Sequence, residues 1–240
     1  MSLLPVFLKL EGRACLAVGA GEVASSKIES LVHSLARVTV VAPWARPEIV
    51  RLAEQRAITW YQREFVDSDI DGAFVIVAGT NFAHVNQHVY RLAVAHNILC
   101  NAVDDPPHCD FYYGSVVGRG KLQIAISTAG ESPAVAQRLR AEIDALLPHE
   151  LGPWLCKLGA LRREILQTHP PGDDRKALLH QLGRLPVCES ERCPSRQLAF
   201  PAMQAHTSGY SSLAAIDLTN QVGLSSENAH PQRSCHERIW

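Results

Sequence analysis

The chain has 240 residues, enough for one large domain or one domain with a smaller appendage. A formal net charge of −1 gives no global electrostatic reason to expect nucleic acid or an anionic membrane as partner. With 47% apolar and 20% charged residues the composition is that of a soluble globular protein, and no run approaches the roughly 18 apolar residues that span a bilayer.

The first ten residues, Met1 to Leu10, lack the basic start and long apolar core of a signal peptide, so the expected compartment is the cytoplasm. A short apolar run, Cys15 to Val18, leads into Gly19-Ala20-Gly21. From Glu22 to Ser34 the apolar Val23, Ile28, Leu31 and Val32 fall at mostly helical spacing. Val38 to Val41 reads as a second strand stopped by Pro43, and Pro47 to Gln55 as a helix with proline in its first turn. Ile58 to Tyr61 is a third strand, and the uniformly apolar Phe74 to Ala78 a fourth, buried on both faces. Ala83 to His96 is a helix and Ile98 to Val103 a fifth strand. Strands alternating with helices predict an α/β fold with a parallel, doubly wound sheet.

Beyond Asp110 the pattern changes. Phe111 to Val117 and Leu122 to Ser127 are β-type runs separated by a Gly118-Arg119-Gly120 turn. Pro133 to Leu147 is helical behind Ser132, a good N-cap. Residues 151 to 185 hold helix-prone stretches broken at Pro170-Pro171-Gly172. From Val187 to Trp240 periodicity fades, and the tail is expected to be poorly ordered. Seven cysteines occur, an odd count with no CxxC pair, and read as reduced thiols; Cys188, Cys193, His206, Cys235 and His236 in the tail could bind a metal, but their irregular spacing favours unpaired thiols.

Three segments carry candidate chemistry. Gly19-Ala20-Gly21-Glu22-Val23-Ala24 fits G-x-G-x-x-G/A between a strand and a helix. The first glycine permits the tight turn, the second lets backbone approach a diphosphate, and Ala24 keeps the helix close to the sheet, while the helix N-terminus offers free N–H groups. The alternative is a tight turn that binds nothing. The acid that usually holds the adenosine ribose about 20 residues on is missing; Val41-Ala42-Pro43-Trp44 stands there, which leaves NAD against NADP open, with Trp44 either covering adenine or simply packed.

The fifth strand ends in Asp104-Asp105, beyond the carboxyl end where ligands bind in such sheets, and a carboxylate there can serve as a base; a solvated Asp-Asp-Pro-Pro turn is the even alternative. His108, Cys109 and Asp110 follow at spacings that match no closed metal cage, leaving a transient metal encounter near Asp104 and His108. Ser127-Thr128-Ala129-Gly130-Glu131-Ser132-Pro133 joins a strand to a helix; its hydroxyls can bind substrate carboxylates or a phosphate in addition to capping that helix.

Together these pieces resemble the precorrin-2 dehydrogenase/sirohydrochlorin ferrochelatase family, found alone or as the N-terminal part of siroheme synthase. The resemblance rests on Leu4 to Phe7, Cys15 to Lys27, Val38 to Pro43, Val85 to Gln87, Cys100 to Asp104, Gly118 to Arg140 and Leu146 to Pro148, covering roughly residues 1 to 165. It implies a Rossmann-like NAD-binding domain over 1–112, a dimerisation and substrate region with exchanged elements over 113–147, and a small helical domain over 148–186, ahead of the tail at 187–240.

The resemblance further implies a homodimer that oxidises precorrin-2 to sirohydrochlorin with NAD and inserts ferrous iron, a substrate, to give siroheme. The family's essential aspartate maps onto Asp104. Its cofactor contacts map onto Gly19, Gly21, Glu22 and Val23, with Pro43 and Trp44 near the adenosine and Thr80 in the same set. Ser127, Thr128, Ser132, Arg119 and Lys121 are the substrate candidates, with Arg138 and Arg140 further cations for its carboxylates; any of these charges can equally be a solvated surface group. Two departures stand out: only about 55 residues follow the helical region, so the methyltransferase module of the long form is not expected, and Asp105 to Tyr113 differs from the family's segment. Two other readings are a nucleotide-sensing regulatory domain, which usually keeps the ribose acid and has no need of Asp104, and a family member with one activity only.

Overall fold

The computed structural model describes residues 3–185; the tail with Cys188, Cys193, His206, Cys235 and His236 lies outside the described residues. Two compact units meet in sequence between Tyr113 and Gly114.

In the first unit, β1 (Ala14–Val18), β2 (Arg37–Val41), β3 (Ile58–Tyr61), β4 (Val75–Ala78) and β5 (Leu99–Ala102) form one parallel sheet in the order β3-β2-β1-β4-β5. Between them run α1 (Glu22–His33), α2 (Pro47–Glu54) and α3 (Ala83–Ala95), with a 3-10 turn at Asp67–Ile70 that the sequence pattern did not announce. Strand side chains alternate between two apolar layers. Cys15, Ala17, Val38, Val40, Val75 and Val77 pack against Ala24, Ile28 and Leu31 of α1 and Ile49 of α2. Leu16, Val18, Val41, Ile76, Ala78, Cys100 and Ala102 pack against Val89 and Ala93 of α3 and against Ile70. Both faces are covered, which is why β1 and β4 read as unbroken apolar runs and why the doubly wound, Rossmann-like expectation holds.

The run Phe111 to Val117 is not one strand. Phe111 and Tyr113 pack against the first layer, and Asn101 Nδ2 donates to the Phe111 carbonyl at 2.7 Å, holding the segment beside β5. The strand starts two residues later.

The second unit opens with an antiparallel hairpin, β6 (Ser115–Arg119) and β7 (Leu122–Ile126). Gly118 and Arg119 lie inside β6, so the turn is Gly120-Lys121, with Gly120 at φ +60. α4 (Pro133–Leu146) packs on the hairpin, and α5 (Leu151–Thr168) and α6 (Asp173–Leu182) pair around the break foreseen at 170–172. Among the described residues no helix is long and apolar enough to cross a membrane.

Candidate active site

The strand order reverses between β1 and β4, so the loops leaving these neighbours diverge to opposite faces and open a crevice at the carboxyl end of the sheet. Gly19 turns the chain there at φ +98, and a Cβ on it would stand 2.5 Å from the Gly79 carbonyl oxygen. Two loops are thus in backbone contact, which only glycine allows. Ala24 is buried under the same contact: a Cβ on Gly79 would meet the Ala24 Cβ at 3.0 Å. Gly21 differs, because a Cβ there would meet nothing within 4 Å. Gly21 is the N-cap of α1, and no side chain accepts from the helix's first N–H groups. Open space beside unsatisfied donors fits a diphosphate.

A cavity of about 150 Å³ occupies that space, lined by Gly21, Glu22, Val23, Gly79, Thr80, Asn81, Val103 and Asp104. Four expected residues, Gly21, Glu22, Val23 and Thr80, therefore share one cavity with Asp104. Gly19 lies under it. Pro43 and Trp44 do not line it; they stand exposed on the β2–α2 loop. That loop is tied down by the Arg46 N–H donating to the Ala20 carbonyl at 3.2 Å and by Trp60 Nε1 donating to the Ala42 carbonyl at 3.0 Å.

The β4–α3 loop is held by buried Asn86. Its Oδ1 accepts from the Thr80 N–H at 3.0 Å and from Thr80 Oγ1 at 2.7 Å, and its Nδ2 donates to the Thr80 carbonyl at 3.0 Å. The Asn86 bracket and Asn81 were not among the expected site residues. Only Asn86's place in the Val85-Asn86-Gln87 segment could have drawn attention to it.

The two adjacent aspartates separate. Asp104 takes a left-handed backbone, φ 61, and lines the cavity. Asp105 is directed elsewhere: Gln87 Nε2 donates to its Oδ2 at 3.3 Å, and His108 Nδ1 lies 2.9 Å from that oxygen. The His108 contact is close enough for an ion pair but not directed as a hydrogen bond, leaving Nδ1 without a partner by angle. His108, followed by Gln87, holds the Asp105 carboxyl below the usual range. The solvated member of the turn is Asp104, which is exposed and has no apolar enclosure, whereas Asp105 is half-buried between Gln87 and His108.

Asp110 is structural. Its Oδ2 accepts from the Cys100 N–H at 2.9 Å, and Tyr90 Oη donates to its Oδ1 at 3.3 Å. Cys109 Sγ donates to the Ala102 carbonyl at 3.1 Å. Among the described residues no group of three or more His, Cys, Asp and Glu is placed to hold a metal ion, and His108 faces Asp105 rather than Asp104. Burial pushes the Cys15 thiol up to about 11 and that of Cys100 to about 12, in keeping with unbridged, unreactive thiols.

One cation in the first unit was missed. Lys27 lies four residues after cavity-lining Val23 on α1, hence on the same helix face. Its Nζ rests 4.3 Å above the Tyr113 ring. Burial lowers its basicity, and the attraction of Asp104 partly restores it.

The remaining candidates belong to the second unit. Arg119, one of the substrate candidates, is engaged inside the second unit. Its Nη1 donates to Asp144 Oδ1 at 2.7 Å, and its Nη2 to the Asp144 carbonyl at 2.7 Å and the Leu147 carbonyl at 3.2 Å, so both terminal nitrogens are tied to the end of α4 while the buried Nε has no partner among the described residues. Lys121, Arg138 and Arg140 are exposed, and Arg138 is 3.5 Å from Glu142. Ser132 caps α4, its Oγ accepting from the Val135 N–H at 3.3 Å. Thr128 Oγ1 accepts from the Ser132 N–H at 3.2 Å and Ser127 Oγ from the Ala129 N–H at 3.1 Å, so all three hydroxyls keep their own protons to donate.

Comparison with known proteins gives a consistent picture. A family model of NAD(P)-binding domains matches residues 6–115, and one of the central part of sirohaem biosynthesis proteins matches residues 119–146. Siroheme synthase of Pseudoalteromonas translucida is 37% identical over 176 residues, 73% of this chain and 37% of that protein. Siroheme synthase of Methylobacillus flagellatus is 34% identical over 209 residues, 87% of this chain and 45% of that protein. The chain thus spans less than half the length of these curated relatives. The solved structure of SirC, a precorrin-2 dehydrogenase, is 24% identical, covers 82% of this chain and 97% of its own, and superposes with a TM-score of 0.69, a likeness of fold.

Proposed function

We propose that this chain, which belongs to the family of the N-terminal, NAD(P)-binding module of siroheme synthases, oxidises precorrin-2 to sirohydrochlorin with NAD and then inserts ferrous iron to give siroheme. The observation that carries the reading is that Asp104 and the glycine turn line one cavity. The uncapped first turn of α1 and the open space over Gly21 would hold the diphosphate, and the exposed Trp44 and Pro43 would flank the adenosine. When bound, NAD supplies the ring that accepts a hydride.

Asp104 takes the proton that leaves the reduced macrocycle. Being exposed, it can release that proton to water and accept, one at a time, the two pyrrole N–H protons displaced as iron enters. The hydroxyls of Ser127, Thr128 and Ser132 and the ammonium of Lys121 would bind substrate carboxylates. In this reading residues 113–147 form the dimerisation region of a cytoplasmic homodimer and 148–186 a small helical domain.

The test is direct. Purified protein given precorrin-2 and NAD should yield NADH and the sirohydrochlorin spectrum, and added ferrous iron the siroheme spectrum. Asp104→Ala should abolish both while leaving NAD affinity within about twofold. A fully active variant would falsify the role of Asp104; loss of one step alone would assign it to that step.

A further inference from the structure

Lys27 lies outside every role assigned so far. Among the described residues its ammonium has neither a hydrogen-bond acceptor nor an ion-pair partner, although Lys9, Arg46, Arg63 and Arg119 all have one. It is half-buried, so it has lost part of its hydration without gaining a carboxylate. The Tyr113 ring supports it from one side through a cation–π contact. Asp104 attracts it without touching it: the two form no pair within 4.0 Å, the limit for an ion pair. Lys27 shares a helix face with Val23, which lines the crevice one turn toward the helix N-terminus.

We infer that Lys27 is a substrate-anchoring residue: its ammonium takes one carboxylate of the polycarboxylate macrocycle and sets the ring against Asp104. The inference rests on the proposed tetrapyrrole function and adds a contact to it. Position along α1 argues against the cofactor's diphosphate as the natural partner. The free N–H groups are at Gly21 to Val23, and Lys27 stands a full turn further on. A carboxylate would complete the shell of an ammonium that already has an aromatic floor. Binding then gains a charge-assisted hydrogen bond for which the free protein has already given up part of the ion's hydration.

This arrangement has a signature that a structural lysine lacks. Because burial outweighs the pull of Asp104, the charged form is disfavoured on folding. Removing the charge should therefore leave the unliganded protein's thermal midpoint unchanged or raise it, while weakening substrate binding.

The experiment uses the full chain with Lys27→Met and Lys27→Arg, measuring sirohydrochlorin affinity by fluorescence quenching, NAD affinity by calorimetry, and the midpoint. Lys27→Met should weaken sirohydrochlorin binding by about tenfold or more and raise KM more than it lowers kcat. Lys27→Arg should recover most of the affinity, and NAD affinity should stay within about twofold in both. Unchanged sirohydrochlorin affinity in Lys27→Met overturns the inference, as does joint loss of NAD affinity or a large drop in midpoint. If neither variant folds, amine acetylation of the unmutated protein decides: sirohydrochlorin but not NAD should protect Lys27, and absence of protection overturns the proposal. An unmutated protein that binds NAD but no tetrapyrrole refutes the functional reading itself, and this inference with it.

Discussion

Alanine at Gly19 and at Gly21 should fail in opposite ways, because the two glycines of one motif are needed for different reasons. At Gly19 the backbone stands at φ +98, and a methyl would lie 2.5 Å from the Gly79 oxygen and 2.8 Å from its carbon. Holding a side chain in such a conformation costs about 1–3 kcal/mol, and the clash with a neighbouring main chain adds to it. The Gly19→Ala midpoint should fall by about 2–4 °C for each kcal/mol in a chain of this size. At Gly21 the backbone is extended, φ −77 and ψ −173, and a methyl meets nothing. Its effect on stability should stay within about 1 kcal/mol, since a poorer N-cap is offset by a stiffer unfolded chain. The methyl would fill the space assigned to the diphosphate and cost at least one charge-assisted hydrogen bond, so NAD should bind about tenfold to a hundredfold more weakly. Thermal unfolding and NAD titration on both variants check this. A Gly21→Ala protein that binds NAD as tightly as the parent refutes the placement of the diphosphate.

Two further outcomes test the frame around the site. Arg119→Met should lower the stability of the second unit by about 1–3 kcal/mol in urea unfolding, because the Asp144 and Leu147 carbonyls lose their donor, yet leave the KM for precorrin-2 within about twofold; a large KM rise would return Arg119 to the substrate site. Asp69 is held below the ordinary carboxylate range chiefly by the two hydrogen bonds from Arg63, at 2.8 and 2.6 Å. A depressed folded value adds stability above the unfolded carboxyl's pKa of about 3.9, lost as pH falls through the folded value. Asp69→Asn should therefore be less stable at neutral pH and lose less stability than the parent on acidification below about pH 4, read from urea midpoints against pH.

The parallel sheet was legible because β1 and β4 are apolar on both faces, and the crevice because Gly19 to Ala24 sits between a strand and a helix. What sequence withheld depends on contacts between distant positions. The two adjacent aspartates part company through a left-handed residue at 104 and through Gln87, 18 positions from Asp105. Arg119 resembles a free cation until Asp144, 25 positions on, receives its guanidinium. Phe111 to Val117 reads as a β-type run, yet Phe111 and Tyr113 serve packing against the first layer, where Asn101 bonds to the Phe111 carbonyl. Lys27 lay in plain view within the Cys15 to Lys27 segment, and helical spacing alone could not show that its ammonium lacks a partner.

The first unit divides its polar groups into two kinds, and the division explains how a rigid sheet can offer a site at all. Groups beneath the crevice are satisfied: Asn86 makes three hydrogen bonds to Thr80, and the Cys109 thiol donates to a carbonyl while accepting from Asn101. Groups nearer the surface are left open to a ligand: α1 starts without a side-chain cap, Lys27 rests over Tyr113 without a protein acceptor, and Asp104 stands exposed in a left-handed conformation that most residues avoid. Each can take a ligand of complementary chemistry, a diphosphate, a carboxylate or a proton. Bound ligand should then stabilise the protein in proportion to its affinity, and saturating NAD and sirohydrochlorin together should raise the thermal midpoint more than either alone.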